Sequence, residues 1–147
     1  MPTVRVNAAD LAYDEAGTGQ PVVFSHAGIA DRWMWDHQLQ QLATDHRVIR
    51  YDWRGYGDSS DAVGSFAHYR DLLGLLDALD IERAALVGCS MGGAYAASTS
   101  TRLSRRIDLA DTGHLPPLDR PQEITAALRR FLGSGYRWAG RRRTRAW

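Results

Sequence analysis

Lysine is absent from this 147-residue chain, and all 18 basic side chains are arginine. Cysteine occurs once, at Cys89, which excludes a disulfide framework and a cysteine-based metal site. No apolar run approaches the roughly 18 residues of a membrane-spanning helix. The first residues also lack the basic and then apolar pattern of a secretory signal. A cytoplasmic protein with no metal, no cofactor and no membrane partner is therefore expected.

The formal net charge of +1 conceals an uneven charge distribution. The last eleven positions hold five arginines and no acidic residue, so residues 1–136 carry 13 basic against 17 acidic groups, a net of −4. Residues 134–147 show no apolar period, which predicts a disordered basic tail after a single folded domain at residues 1–133. Arginine mixed with aromatics can bind nucleic acid, but without a folded basic face that partner is not expected. The oligomeric state stays open.

Predicted strands alternate with predicted helices along the chain. This alternation is typical of a doubly wound, mostly parallel α/β sheet with helices on both faces. Asp31 is expected to cap the first helix and Gly133 to end the last. Strands are predicted at residues 4–7, 11–15, 22–25, 47–51, 84–87 and 107–110, and helices at residues 32–43, 66–79, 90–98 and 121–132.

The most informative stretch reads Gly88-Cys89-Ser90-Met91-Gly92. It follows a short apolar strand and precedes an alanine-rich helix, which is the context of a nucleophile elbow. Glycines on both sides of the turn let the backbone fold back sharply and raise the serine hydroxyl above the sheet. The N–H groups at the start of the helix would face any developing negative charge. The pattern alone is weak, but its flanks favour Ser90 as a nucleophile.

Three further segments extend the pattern in the expected order. Residues 22–28 read Val-Val-Phe-Ser-His-Ala-Gly, residues 52–59 read Asp-Trp-Arg-Gly-Tyr-Gly-Asp-Ser, and residues 113–116 read Gly-His-Leu-Pro. Together with the elbow, they make the chain resemble the α/β-hydrolase superfamily, in its branch of small serine hydrolases that includes esterases, enol-lactone hydrolases and cofactor-free haloperoxidase-like enzymes. The resemblance covers roughly residues 4–132.

The resemblance implies specific roles for four residues. Ser90 would be the nucleophile, and His114 would be the base that accepts its proton. The backbone N–H of Met91 would be one oxyanion donor, and the N–H of Gly28 the second. The resemblance also implies that residues 26–28, which follow the strand at residues 22–25, form the oxyanion loop. His26 is expected to shape this loop rather than to transfer protons.

The chain departs from the family between its elbow and its histidine. Only the 23 residues 91–113 separate Ser90 from His114, whereas a single βαβ unit takes about 30 residues. The resemblance therefore implies a shortened core without a cap domain, in which the usual catalytic acid is missing. Asp111 is the nearest carboxylate to His114 in sequence and could orient it, while Asp108 is expected inside a strand and Asp119 matches a non-catalytic position.

Two functions from different classes follow from these residues. The first is a serine hydrolase that cleaves a small-molecule carboxylic ester or lactone through Ser90 and His114. The alternative is a catalytically impaired or inactive remnant of such an enzyme, because the acid is missing. The identity of the substrate cannot be read from the sequence, since the cap that normally shapes substrate choice is not there.

Overall fold

The computed structural model of this chain describes residues 1–99 and 115–133. These residues contain the strands β1 (Thr3–Val6), β2 (Ala9–Ala16), β3 (Gln20–Ser25), β4 (His46–Tyr51) and β5 (Ala85–Gly88). They form a five-stranded sheet in the order β1-β2-β4-β3-β5. Strands β4, β3 and β5 are parallel, and β2 is antiparallel to both of its neighbours, so β2 alone runs against the other four. The predicted mostly parallel α/β sheet is confirmed.

Helices cover both faces of this sheet because side chains alternate along each buried strand. The helices are α1 (Asp36–Leu42), α2 (His68–Ala78), α3 (Met91–Ser98), the single turn α4 (Pro116–Asp119) and α5 (Pro121–Gly133). Val23 and Ile49 point to one face, where they pack with leucines of α2. Val22 and Phe24 point to the other face, where they pack with residues of α1 and α5. The core therefore has two layers, as a doubly wound sheet requires.

The helix predicted at residues 32–43 is two elements. A 3₁₀ turn at Arg32–Trp35 precedes α1, and the Asp31 side chain caps this turn by accepting a hydrogen bond from the Trp33 N–H at 2.9 Å. The tighter turn allows Arg32, Met34 and Trp35 all to be buried. The cap prediction is confirmed, whereas the prediction of one continuous helix is wrong.

The first hairpin also turns more tightly than the sequence indicated. Val6 pairs directly with Ala9, and Asn7 and Ala8 form the turn with φ angles of 47° and 65°. Two left-handed residues define a type I′ turn, whose twist matches that of antiparallel strands. Strand β2 therefore begins at Ala9 instead of residue 11.

Strand β5 lies at one edge of the sheet as far as the described residues show. All four of its residues are partly exposed, although β3, its neighbour, is almost wholly buried over its last four residues. The strand predicted at residues 107–110 and the tail predicted at 134–147 lie outside the described residues. Among the helices that the structure describes, none is long and apolar enough to cross a membrane.

Candidate active site

Ser90 joins the end of β5 to the start of α3 in a strained backbone conformation. Its φ and ψ angles are 54° and −121°, in a region that residues with a side chain rarely occupy. The side chain is exposed and makes no capping hydrogen bond to the helix that follows. A serine that merely caps a helix has an extended backbone and a bonded hydroxyl. The elbow therefore presents the Ser90 hydroxyl outward and leaves it available for chemistry.

The glycines on either side of Ser90 allow backbone segments to touch. A Cβ atom on Gly92 would overlap the carbonyl oxygen of His26, and one on Gly88 would overlap the Gly92 backbone. The N–H of Cys89 also donates a hydrogen bond to the carbonyl oxygen of Ser25 at 3.2 Å. The elbow is thus seated directly on the carboxyl end of β3.

This contact brings Met91 and Gly28 together, the two residues expected to supply oxyanion donors. The Met91 Sδ atom lies 2.8 Å from the position that a Cβ atom on Gly28 would occupy. Within residues 1–99 and 115–133, neither backbone N–H donates a hydrogen bond. Free N–H groups next to a nucleophile can stabilise a developing oxyanion.

His26 holds the oxyanion loop in place from inside the protein. It is 0 % exposed, and its Nε2 accepts a hydrogen bond from the Trp53 N–H at 3.1 Å. Its Nδ1 must therefore carry the proton and donate to the Ala27 carbonyl oxygen at 2.8 Å. Burial lowers the pKa of His26 below its ordinary value. The neutral His26 ring therefore connects its own loop to the loop after β4 through these two hydrogen bonds.

The segment after β4 is held by buried carboxylates. Asp52 is 0 % exposed and pairs with the guanidinium of Arg32. Asp52 also accepts hydrogen bonds from the backbone N–H groups of Arg32 at 2.7 Å and Asp58 at 2.9 Å. A second buried pair joins Arg54 to Asp71 on α2 through two hydrogen bonds of 2.9 and 3.1 Å. These pairs fix the loop that supports His26.

Sequence reasoning missed an aromatic cluster beneath this site. The Trp53 ring stacks on the His26 ring with centroids 4.0 Å apart, and it contacts His68 and Tyr95 at 5.2 and 4.7 Å. The Trp53 indole N–H donates to the Ser25 hydroxyl at 2.9 Å. These four residues lie far apart along the chain, so no local pattern links them.

Three other side chains, those of Cys89, Met34 and Trp35, belong to the hydrophobic core. Cys89 is a small buried residue, and burial raises the pKa of its thiol. Met34 and Trp35 are buried in the core, whereas Trp33 is exposed. No group of three or more His, Cys, Asp or Glu side chains in the described part of the chain could hold a metal ion.

His114 and Asp111 lie outside the described residues. The structure resumes at Leu115, which packs against the core cluster that contains Ala27 and Cys89. In the described residues, the two buried carboxylates are Asp52 and Asp71, and both are paired with arginine.

A family model described as the alpha/beta hydrolase family matches residues 22–146. The chain is 39 % identical over 101 residues to a putative non-heme chloroperoxidase of Synechocystis, covering 63 % of this chain and 37 % of that protein. It is 40 % identical over 74 residues to 3-oxoadipate enol-lactonase 1 of Acinetobacter baylyi, covering 49 % of this chain and 28 % of the relative.

Solved structures have the same fold. The crystal structure of the enol-lactonase from Burkholderia xenovorans LB400 superposes with a TM-score of 0.65 and 35 % identity, over 73 % of this chain and 44 % of the other. The chain therefore spans less than half the length of each of these three proteins.

Proposed function

Because the chain belongs to the alpha/beta hydrolase family, we propose that it is a serine hydrolase that cleaves a carboxylic ester or lactone by acyl transfer. The observation that carries this proposal is the backbone of Ser90, with φ and ψ of 54° and −121° and a hydroxyl that caps nothing. A conformation that costs about 1–3 kcal/mol is retained where the surrounding structure enforces it, and such positions cluster at functional sites.

In the proposed reaction, the Ser90 hydroxyl oxygen attacks the substrate carbonyl while His114 accepts the hydroxyl proton. The N–H groups of Met91 and Gly28 donate hydrogen bonds to the oxyanion of the tetrahedral intermediate. His114 then returns the proton to the departing alcohol, and water hydrolyses the acyl-enzyme by the same steps in reverse. No cofactor is required.

The position of Leu115 supports His114 as the base. Leu115 is partly buried against the core cluster that contains Ala27, a residue of the oxyanion loop, and Cys89, a residue of the elbow. Consecutive Cα atoms lie 3.80 Å apart, so the proposed base is one residue away from an anchored side chain. Asp111 is the carboxylate that we assign to orient His114, on sequence proximity alone.

A fluorophosphonate probe tests the proposal, since it labels only an activated serine. We expect the wild-type protein to be labelled and Ser90→Ala to remain unlabelled. His114→Ala should lose most labelling, and Asp111→Asn should lose part of it. Equal labelling of wild type and Ser90→Ala would refute the nucleophile assignment.

The specific alternative is an impaired or inactive remnant. It is favoured by the pairing of both buried carboxylates in the described residues with arginine, which leaves neither to orient a histidine. The short spacing between Ser90 and His114 favours it too. Ester turnover that disappears in both Ser90→Ala and His114→Ala would exclude an inactive remnant, and its rate would show how far the enzyme is impaired.

For the substrate we propose a small-molecule ester or lactone, and for the compartment the cytoplasm. Two of the similar proteins are named as enol-lactonases, which makes an enol-lactone the first compound to assay. Hydrolysis of a short-chain nitrophenyl ester should be measured in parallel. A preference for one of the two would define the substrate class.

A further inference from the structure

We propose that Met91 is an oxidation site at which a hydroperoxide suppresses acyl transfer by Ser90. This inference rests on the proposed function. The chain contains three methionines, Met1, Met34 and Met91. Met34 is 3 % exposed, whereas Met91 is 47 % exposed and directly follows the nucleophile. Met1 is exposed too, but it lies against Arg32, where its sulfur accepts a hydrogen bond at 2.8 Å.

The thioether of Met91 lies against Gly28, the residue that carries the second proposed oxyanion donor. Its Sδ atom is 2.8 Å from the Cβ position of Gly28, and its Cε and Cγ atoms are 3.8 and 3.9 Å from it. A Cβ position lies about 2.5 Å from the nitrogen of its own residue. The sulfur is therefore no more than about 5.3 Å from the Gly28 nitrogen, by the same geometry.

Oxidation at this sulfur needs only a hydroperoxide as co-reactant. A sulfur lone pair attacks the outer peroxide oxygen, a sulfur–oxygen bond forms, and the oxygen–oxygen bond breaks. The leaving hydroxide or alkoxide takes up the remaining proton, so that the products are methionine sulfoxide and water or an alcohol. The sulfur loses two electrons and the peroxide gains them.

The new oxygen changes the chemistry beside Ser90. A sulfoxide is polar and accepts hydrogen bonds, whereas a thioether is apolar and accepts weakly. In the proposed mechanism, the oxygen on Sδ turns toward the N–H of Gly28 by rotation about the Met91 side-chain bonds, and there it competes with the substrate oxyanion. Removal of one oxyanion donor costs about a hundredfold or more in rate, so partial capture of this donor should slow acylation severalfold to tenfold or more.

The test compares fluorophosphonate labelling rates before and after mild hydrogen peroxide treatment. Three proteins are needed: wild type, Met91→Leu, which keeps the backbone N–H and nearly the side-chain volume, and Met34→Leu as the matched control. Each treated protein is compared with its own untreated sample. Peptide mass spectrometry measures the sulfoxide at each methionine, and a methionine sulfoxide reductase reverses it.

We expect Met91 to be oxidised before Met34, and the labelling rate of wild type and Met34→Leu to fall about tenfold as Met91 sulfoxide accumulates. Met91→Leu should keep its untreated rate, and the reductase should restore the wild type. Unchanged labelling of fully Met91-oxidised wild type, or an equal loss in Met91→Leu, would overturn the proposal. Untreated wild type that never labels would instead refute the proposed function, and oxidation of Met34 before Met91 would still overturn the oxidation site.

Discussion

The α-carbon of Gly92 lies against the carbonyl group of His26, so closely that a Cβ atom on Gly92 would overlap the carbonyl oxygen. This contact joins the elbow to the oxyanion loop. Gly93, one residue further along α3, has no such contact, since a Cβ atom there would meet the Gly88 carbonyl oxygen at 3.5 Å. An added methyl group would therefore clash with the backbone at Gly92 but make only an ordinary contact at Gly93.

Gly92→Ala should destabilise the protein by about 3 kcal/mol or more, because the added methyl group meets backbone that cannot move aside. Gly93→Ala is the matched control and should be neutral or stabilising by about 0.5–1 kcal/mol, since alanine favours a helix over glycine. Urea unfolding monitored by circular dichroism measures both. Equal stability of the two variants would contradict the seating of the elbow on β3.

Ser90→Gly should be more stable than Ser90→Ala by about 1 kcal/mol, because only glycine occupies φ = 54° without steric cost. Both variants remove the hydroxyl, so both should be inert to a fluorophosphonate. The comparison therefore separates backbone strain from chemistry. If Ser90→Ala proves the more stable of the two, the elbow is not strained as described.

Asp71→Ala should destabilise the protein by about 3–5 kcal/mol, because it leaves the buried guanidinium of Arg54 without its partner. Asp10→Ala removes an ion pair with Arg5 that is exposed on both sides, and should cost less than about 1 kcal/mol. Chemical denaturation of both variants checks the contrast. A small effect at Asp71 would show that the loop after β4 does not depend on this pair.

Stability should fall as the pH decreases through 6.5, the ordinary pKa of histidine. Burial lowers the pKa of His26, and of His68, in the folded protein. The unfolded chain therefore binds more protons in this window, and protonation favours unfolding. His26→Gln should reduce the slope of unfolding free energy against pH between about 7 and 5. An unchanged slope would mean that His26 is not held in its neutral form by burial.

Ala8→Gly should stabilise the first hairpin by about 1 kcal/mol, because Ala8 has a φ of 65° and the second residue of a type I′ turn favours glycine. Ala8→Val should destabilise it, since a β-branched residue resists a positive φ. Thermal unfolding of the two variants measures the difference. Similar midpoints would argue against the turn at Asn7 and Ala8.

The sequence by itself determined the local features. The sequence of residues 88–92 indicates a strand-to-helix elbow, because the glycines and the serine that form the turn are neighbours along the chain. The structure contains that elbow. The apolar pattern of residues 66–79 predicted a helix, and the structure has α2 at His68–Ala78 with Leu72, Leu75 and Leu76 buried. The two-residue hairpin turn escaped prediction because neither Asn7 nor Ala8 is a glycine.

Only the tertiary structure determined which residues lie beside the elbow. The parallel register that pairs Ser25 with Gly88 sets His26 against Gly92, and it brings Gly28 under Met91 although 62 residues lie between them. The spacing of residues in the sequence does not reveal such a contact, because the contact depends on which strands pair and in which register. The elbow therefore follows from local backbone chemistry, and the approach of Met91 to Gly28 follows from the pairing of β3 with β5.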